Sequence, residues 1–225
     1  MLSSVLSQIR TFLNEALPRL TPRLRRQPIT TVDQVFEFTS TRSAFIAQKT
    51  LYGYVKTRMG TSYPKMFEDD VFVSSINIAK MQIFAACLSD LTIFTIAQAL
   101  EGEASSDVER SQAASLCFAR ALADNPADAA LGFDANQAQA EFEQRLDGTD
   151  WPRGAKVRDN FTRSPRALVK WSPIAPELKK YDTEIIENSI KFAWNDIRSA
   201  FLSRLDGAAV SAEFRHNGLP AGTPE

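Results

Sequence analysis

The segment from Val71 to Leu100 constrains the fold more than any other part of the chain. Its large apolar residues, among them Phe72, Ile76, Ile83, Leu88, Phe94 and Leu100, fall on every side of a helical wheel. A helix apolar around its whole circumference is buried, either in a protein core or in a bilayer. Lys80 and Asp90 decide between the two, because every window of about 20 residues across the middle of the segment contains an ion, and ions within a bilayer are costly. The segment therefore predicts a buried central helix in a soluble protein.

Other helices are expected around it. Thr31 to Gln34 has the form of a capping box and opens a helix that runs to about Met59 and stops at Gly60. Glu68, Asp69 and Asp70 bring negative charge to the start of the central helix, where the helix dipole favours it. Shorter helices are predicted over about Asp107 to Ala123, after Ser105 and Ser106, and over Asp134 to Leu146, before Gly148. A last helix is expected from Pro176 to Leu205. The stretch at about 149–177 holds four prolines and reads as a basic loop, with room for a short helix near Arg166 to Lys170. Beyond Gly207 small and polar residues predict a disordered C-terminal tail.

The expected fold is thus all-α, an irregular bundle of five or six helices around the buried helix at 71–100. Three regions follow: an amphipathic helix and basic linker over 1–28, a bundle domain over 29–206, and the tail over 207–225.

The overall charge of −1 hides a segregation by segment. Residues 1–30 carry five Arg against Glu15, about +4; residues 31–148 carry nine basic and sixteen acidic groups, about −7. Residues 149–180 carry eight basic and three acidic groups, about +5. Two basic segments bracket an acidic body, a layout suited to anionic surfaces and equally to a basic loop docked on its own body.

Residues 2–20 place Leu6, Ile9, Phe12, Leu13 and Leu17 on one side of a wheel, opposite Ser3, Ser7, Gln8 and Thr11. Arg23, Arg25 and Arg26 follow. An apolar face beside a basic cluster is what a helix lying on an anionic membrane needs. A transit peptide for an organelle has the same composition, and so does a helix that merely covers the bundle. In the 149–177 stretch, Trp151 and Trp171 lie among Arg153, Arg163, Arg166 and Lys170, as membrane anchors or as pins holding the loop to the body. In the first predicted helix of the bundle, Phe38, Phe45, Tyr52 and Met59 run beside Arg42, Lys49 and Lys56; a snorkelling core edge is the favoured account.

Lys80 and Asp90 are about 15 Å apart along a helix and cannot pair with each other. Partners such as Glu37 or Arg42 on the preceding helix are expected, making both charges structural. The alternative is a ligand site for an apolar, lipid-like molecule near Lys80, Cys87 and Asp90. Cys87 and Cys117 lie in apolar helical stretches and read as buried free thiols.

The single histidine, His216, sits in the predicted tail, which leaves Ser-His or Cys-His catalysis without a base. No glycine-rich phosphate loop and no nucleophile-elbow motif occurs. The expectation is a non-enzymatic interaction protein without a cofactor, docking a protein partner and associated peripherally with an anionic membrane surface. Its expected location is cytoplasmic, with a transit peptide at 1–28 as an alternative. Nucleic-acid binding through 149–180 ranks third, and the oligomeric state is open.

Overall fold

Side chains within one helical turn set most of the helix boundaries. A computed structural model describes residues 27–101, 105–127, 132–154 and 161–219. Helix α1 spans Val32–Met59. The Thr31 hydroxyl accepts the Gln34 N–H at 3.3 Å, and the Gln34 side chain accepts the Thr31 N–H at 3.3 Å, completing the capping box. The helix stops at Gly60, whose φ of 53° lies in the left-handed region open to glycine. A 3-10 turn, Gly60–Ser62, and the short α2, Tyr63–Met66, lead to the central helix α3, Asp70–Ala99. The Asp69 carboxylate caps α3 by accepting the Val71 N–H at 2.8 Å and the Phe72 N–H at 3.3 Å. Helix α4, Asp107–Ala123, opens on a Ser106 and Glu109 capping box, and α5, Ala135–Asp147, on Asp134.

The second half of the chain departs from expectation at three places. The predicted basic loop holds α6, Trp151–Gly154, and α7, Arg163–Trp171, the latter longer than the short helix allowed for there. The predicted last helix is two, α8 over Pro176–Lys179 and α9 over Thr183–Leu202, separated by a turn at 180–182. The expected disorder after Gly207 is corrected by α10, Gly207–Asn217, which buries Val210 and Phe214. Asp206 caps α10 through the Ala209 N–H at 3.0 Å. The Glu213 carboxylate accepts the Val32 N–H at the start of α1 at 3.1 Å, and Ser211 donates to the Ala99 carbonyl at the end of α3 at 3.3 Å. Arg110 donates to the Leu100 carbonyl at 3.0 Å, capping the same end.

Helix α3 is the axis of the bundle. It packs against α1, α4, α6, α7 and α10, and every residue from Cys87 to Ala97 is buried. By length and composition alone α3 could cross a membrane; its second half is instead enclosed by the other helices. An aromatic cluster closes one side, with Phe94 5.8 Å from Phe161 and 6.0 Å from Phe201, and Phe161 4.9 Å from Trp194. On another side the Phe118 and Phe142 rings stack at 4.3 Å and join α4 to α5. Among the described residues the one extended pairing is a bridge between Ile29 and Leu205. It ties the chain entering α1 to the end of α9, with Ile29 N–H on the Arg204 carbonyl at 2.8 Å.

The turn before α9 is held by Asp182, whose carboxylate receives the Arg58 guanidinium and, at 2.9 Å, the Tyr54 hydroxyl. Hydrogen bonding to Arg58, aided by Tyr54, holds the Asp182 carboxyl below its ordinary value. A carboxyl depressed in the folded state contributes stability above its unfolded pKa and loses it as pH falls through the folded pKa. Asp182→Asn is therefore expected to show a shallower fall in Tm than the parent between about pH 5 and 2, with the two converging in acid. Parallel falls would show that the clamp does not contribute.

Candidate functional site

The Asp90 carboxylate is wholly buried and is the hub of the best-defined polar cluster. One oxygen accepts Arg145 Nη1 at 2.8 Å and the Arg163 N–H at 3.3 Å. The other accepts the Ser164 N–H at 2.8 Å and the Ser164 hydroxyl at 2.7 Å. Ser164 Oγ in turn accepts Trp194 Nε1 at 2.9 Å. The expectation that Asp90 pairs with the preceding helix, through Arg42, is corrected: its cation comes from α5. Thr162, at the start of α7, makes no capping bond, and the Asp90 carboxylate caps that helix from α3 instead. Burial pushes the Asp90 carboxyl up, against the opposing pull of Arg145 and of the Ser164 donors. With four donors the carboxylate is saturated, and the cluster reads as structural: it fastens α3, α5, α7 and α9 together.

Lys80, Cys87 and Asp90 do not converge on one site. Lys80 is half-buried and lines a cleft of about 160 Å³ with Gln48, Met81, Phe84 and Asp124. Burial lowers its pKa. Cys87 and Asp90 lie about two and about three turns further along α3, enclosed by packing and away from that cleft. Cys87 and Cys117 are both buried free thiols. Burial, assisted at Cys87 by Asp90, raises the Cys87 thiol well above its ordinary value, and burial takes Cys117 to about 12 against the opposing pull of the Thr92 and Thr39 hydroxyls. Thiols so protonated are poor nucleophiles.

The basic segment serves the fold at several of its aromatic positions. Trp151 is 2% exposed and donates to Ser111 at 3.2 Å, so its ring is not offered to a membrane surface, contrary to its proposed anchoring role. Trp171 is partly buried, with Lys170 4.8 Å from its ring centroid. Phe161 belongs to the core, while Arg163, Arg166 and Lys170 are exposed. On α1, Phe38 is buried and Tyr52 half-buried, whereas Phe45 is exposed with Lys49 5.7 Å from its ring. The sequence candidates Leu6, Ile9, Phe12, Leu13, Arg23, Arg25 and Arg26 lie outside the described residues.

A surface not foreseen from the sequence lies on α9 and the turn before it. Tyr181, Ile185 and Phe192 are 79%, 70% and 72% exposed, with Leu178 and Leu202 also exposed at either end. Ile186, Ile190, Trp194, Ile197 and Phe201 of the same helix are buried. At 100° per residue, Ile185 and Phe192 fall within roughly 20° of each other, nearly opposite the buried set, and Tyr181 precedes them in the turn. Helix α9 carries large apolar residues on two opposite faces, and the bundle covers one of them. Glu184, Lys191 and Asp196 are exposed on the same helix, Lys191 pairs with Glu187 at 3.3 Å, and Lys180 lies 5.7 Å from the Tyr181 ring. An aligned, polar-rimmed row of large apolar side chains marks an interaction face more often than scattered exposure does. The spacing of 181, 185 and 192 was legible in the sequence; the residues merged with the core set because both faces are apolar.

Comparison with protein families, with characterised proteins and with solved structures finds no match.

Proposed function

We propose that this chain is a non-enzymatic docking protein, whose helical body holds a protein partner on the outer face of α9 and whose residues 1–28 attach it to an anionic membrane surface. The observation that carries the docking role is the exposed stripe of Tyr181, Ile185 and Phe192. A partner helix laid on it would bury apolar surface worth roughly 1.5–3 kcal/mol for each large side chain fully covered. The polar hub at Asp90 supports the same reading, since its donors and acceptor are engaged with one another and it stiffens the platform that presents α9.

The membrane role rests on the sequence of residues 1–28. Leu6, Ile9, Phe12 and Leu13 supply the inserting face, and Arg23, Arg25 and Arg26 the contacts to head groups. Flotation with vesicles containing phosphatidylserine is expected to carry the full chain upward and to leave a chain lacking 1–28 in the unbound fraction. Equal recovery of both in the unbound fraction would overturn the membrane role. On vesicles, cross-linked protein partners are expected to be lost from Ile185→Glu/Phe192→Glu, and partners retained by that variant would place docking elsewhere.

A further inference from the structure

We infer that the partner of this face is a second copy of the chain, the two α9 helices packing antiparallel about a twofold axis level with Asn188 and Ser189. The inference rests on the docking reading above and names its partner.

The far side of α9 is open to a neighbour. The helix packs against α7 and α1 and buries Ile186, Ile190, Trp194, Ile197 and Phe201, while Ile185, Asn188, Ser189 and Phe192 are exposed. A twofold contact needs one patch that complements itself. Ile185 and Phe192 lie seven positions apart on nearly one line, so an antiparallel copy centred midway sets Ile185 of each level with Phe192 of the other. Asn188, about 50° to one side of that line, meets its own counterpart beside the axis. Its short side chain lets the helices approach and carries both a donor and an acceptor for the other amide.

Charge follows the same symmetry. Glu184 and Lys191 are exposed within roughly 20° of each other, on the side of the line where Asn188 lies. An axis lying across the helices brings that side of one copy against the same side of the other. Glu184 then comes within about 3 Å, along the helix, of Lys191 of the other copy, once on either side of the axis. A parallel pair would set like charges level with each other. Asp196 lies toward the end of the other copy that carries Tyr181 and the exposed Lys180.

Area sets the strength. An aromatic side chain offers about 150–250 Å². The Tyr181 and Phe192 rings, Ile185 and the polar residues between them therefore bring the pair to roughly 1,000 Å², near the lower limit of specific interfaces. A dissociation constant on the order of 1–100 μM is expected.

Sedimentation equilibrium of the full chain without membrane, from about 1 to 200 μM, tests the contact. A monomer–dimer equilibrium is expected, and Ile185→Glu/Phe192→Glu is expected to remain monomeric. Both substituted side chains are largely exposed, so circular dichroism like the parent's serves as a check that the variant is folded. Glu184→Lys should weaken the dimer about tenfold at low salt, and adding Lys191→Glu should recover most of the loss. Oxidation of Asn188→Cys is expected to link two copies, whereas Ser199→Cys, about 30 Å from its counterpart, stays unlinked. Cys87 and Cys117 are buried and do not compete.

A parent that is monomeric at about 200 μM would overturn the inference. So would a dimer that survives in Ile185→Glu/Phe192→Glu, a charge exchange without recovery, or linkage through Ser199→Cys equal to that through Asn188→Cys. Cross-linking on vesicles separates the two ideas. A monomeric parent whose vesicle cross-links vanish in Ile185→Glu/Phe192→Glu would overturn this inference alone. Vesicle cross-links that persist in that variant, while the dimer in solution is lost, would overturn the docking role and leave the contact between copies standing.

Discussion

Asp90→Ala is expected to lower the stability of the bundle by roughly 3–5 kcal/mol, the cost typical of breaking a buried ion pair from one side. The large effect comes from what the carboxylate leaves behind. Arg145 loses its buried counter-charge, and the Ser164 N–H and hydroxyl and the Arg163 N–H, at the start of α7, lose their acceptor. Thr162 supplies no capping bond in its place, so the first turn of α7 is expected to fray. For a protein of this size the loss corresponds to a fall in Tm of about 10 °C, measurable by far-ultraviolet circular dichroism. Asp90→Asn keeps one acceptor oxygen but turns an NH2 group toward donors, and is expected to fall between parent and alanine variant. A loss below about 1 kcal/mol for Asp90→Ala would show that water replaces the carboxylate and that the hub does not hold the four helices together.

Trp194→Ala is expected to cost about 3–5 kcal/mol, because the indole is 1% exposed, packs on Phe161 at 4.9 Å and donates to Ser164. Trp194→Phe separates the contributions. It retains most of the packing and removes one hydrogen bond, so about 1 kcal/mol is expected. Since Trp194 and Asp90 both engage the Ser164 hydroxyl, the two alanine substitutions should be less costly together than their sum, by at least about 0.5 kcal/mol. Urea titrations of the four proteins of the cycle would measure this, and strict additivity would show that Ser164 does not couple α9 to α3.

These sites show why local features were legible and partners were not. The capping residues Thr31, Asp69, Ser106 and Asp134 act on N–H groups two or three residues ahead, so the order of residue types displays them. The same holds for Gly60, where a backbone turn asks for a residue without a side chain. Helix α10 escaped because the signal is short: a cap at Asp206 and two large apolar residues four apart, Val210 and Phe214, among small and polar ones. Its role lies in bonds to α1 and α3, more than one hundred positions away.

By itself the sequence determined that α3 is a buried helix, because no surface could accept apolar residues on all its sides and its two ions argue against a bilayer. It determined most helix starts, through contacts that close within one turn. Only the tertiary structure decided that Asp90 answers to Arg145 and Ser164, fifty-five and seventy-four positions along the chain, in place of a neighbour on the preceding helix. It also decided which apolar face of α9 is covered. The physical reason is that a helical wheel reports the direction in which a side chain leaves the helix, while burial depends on which other helix arrives there, and that is fixed by the packing of the whole bundle.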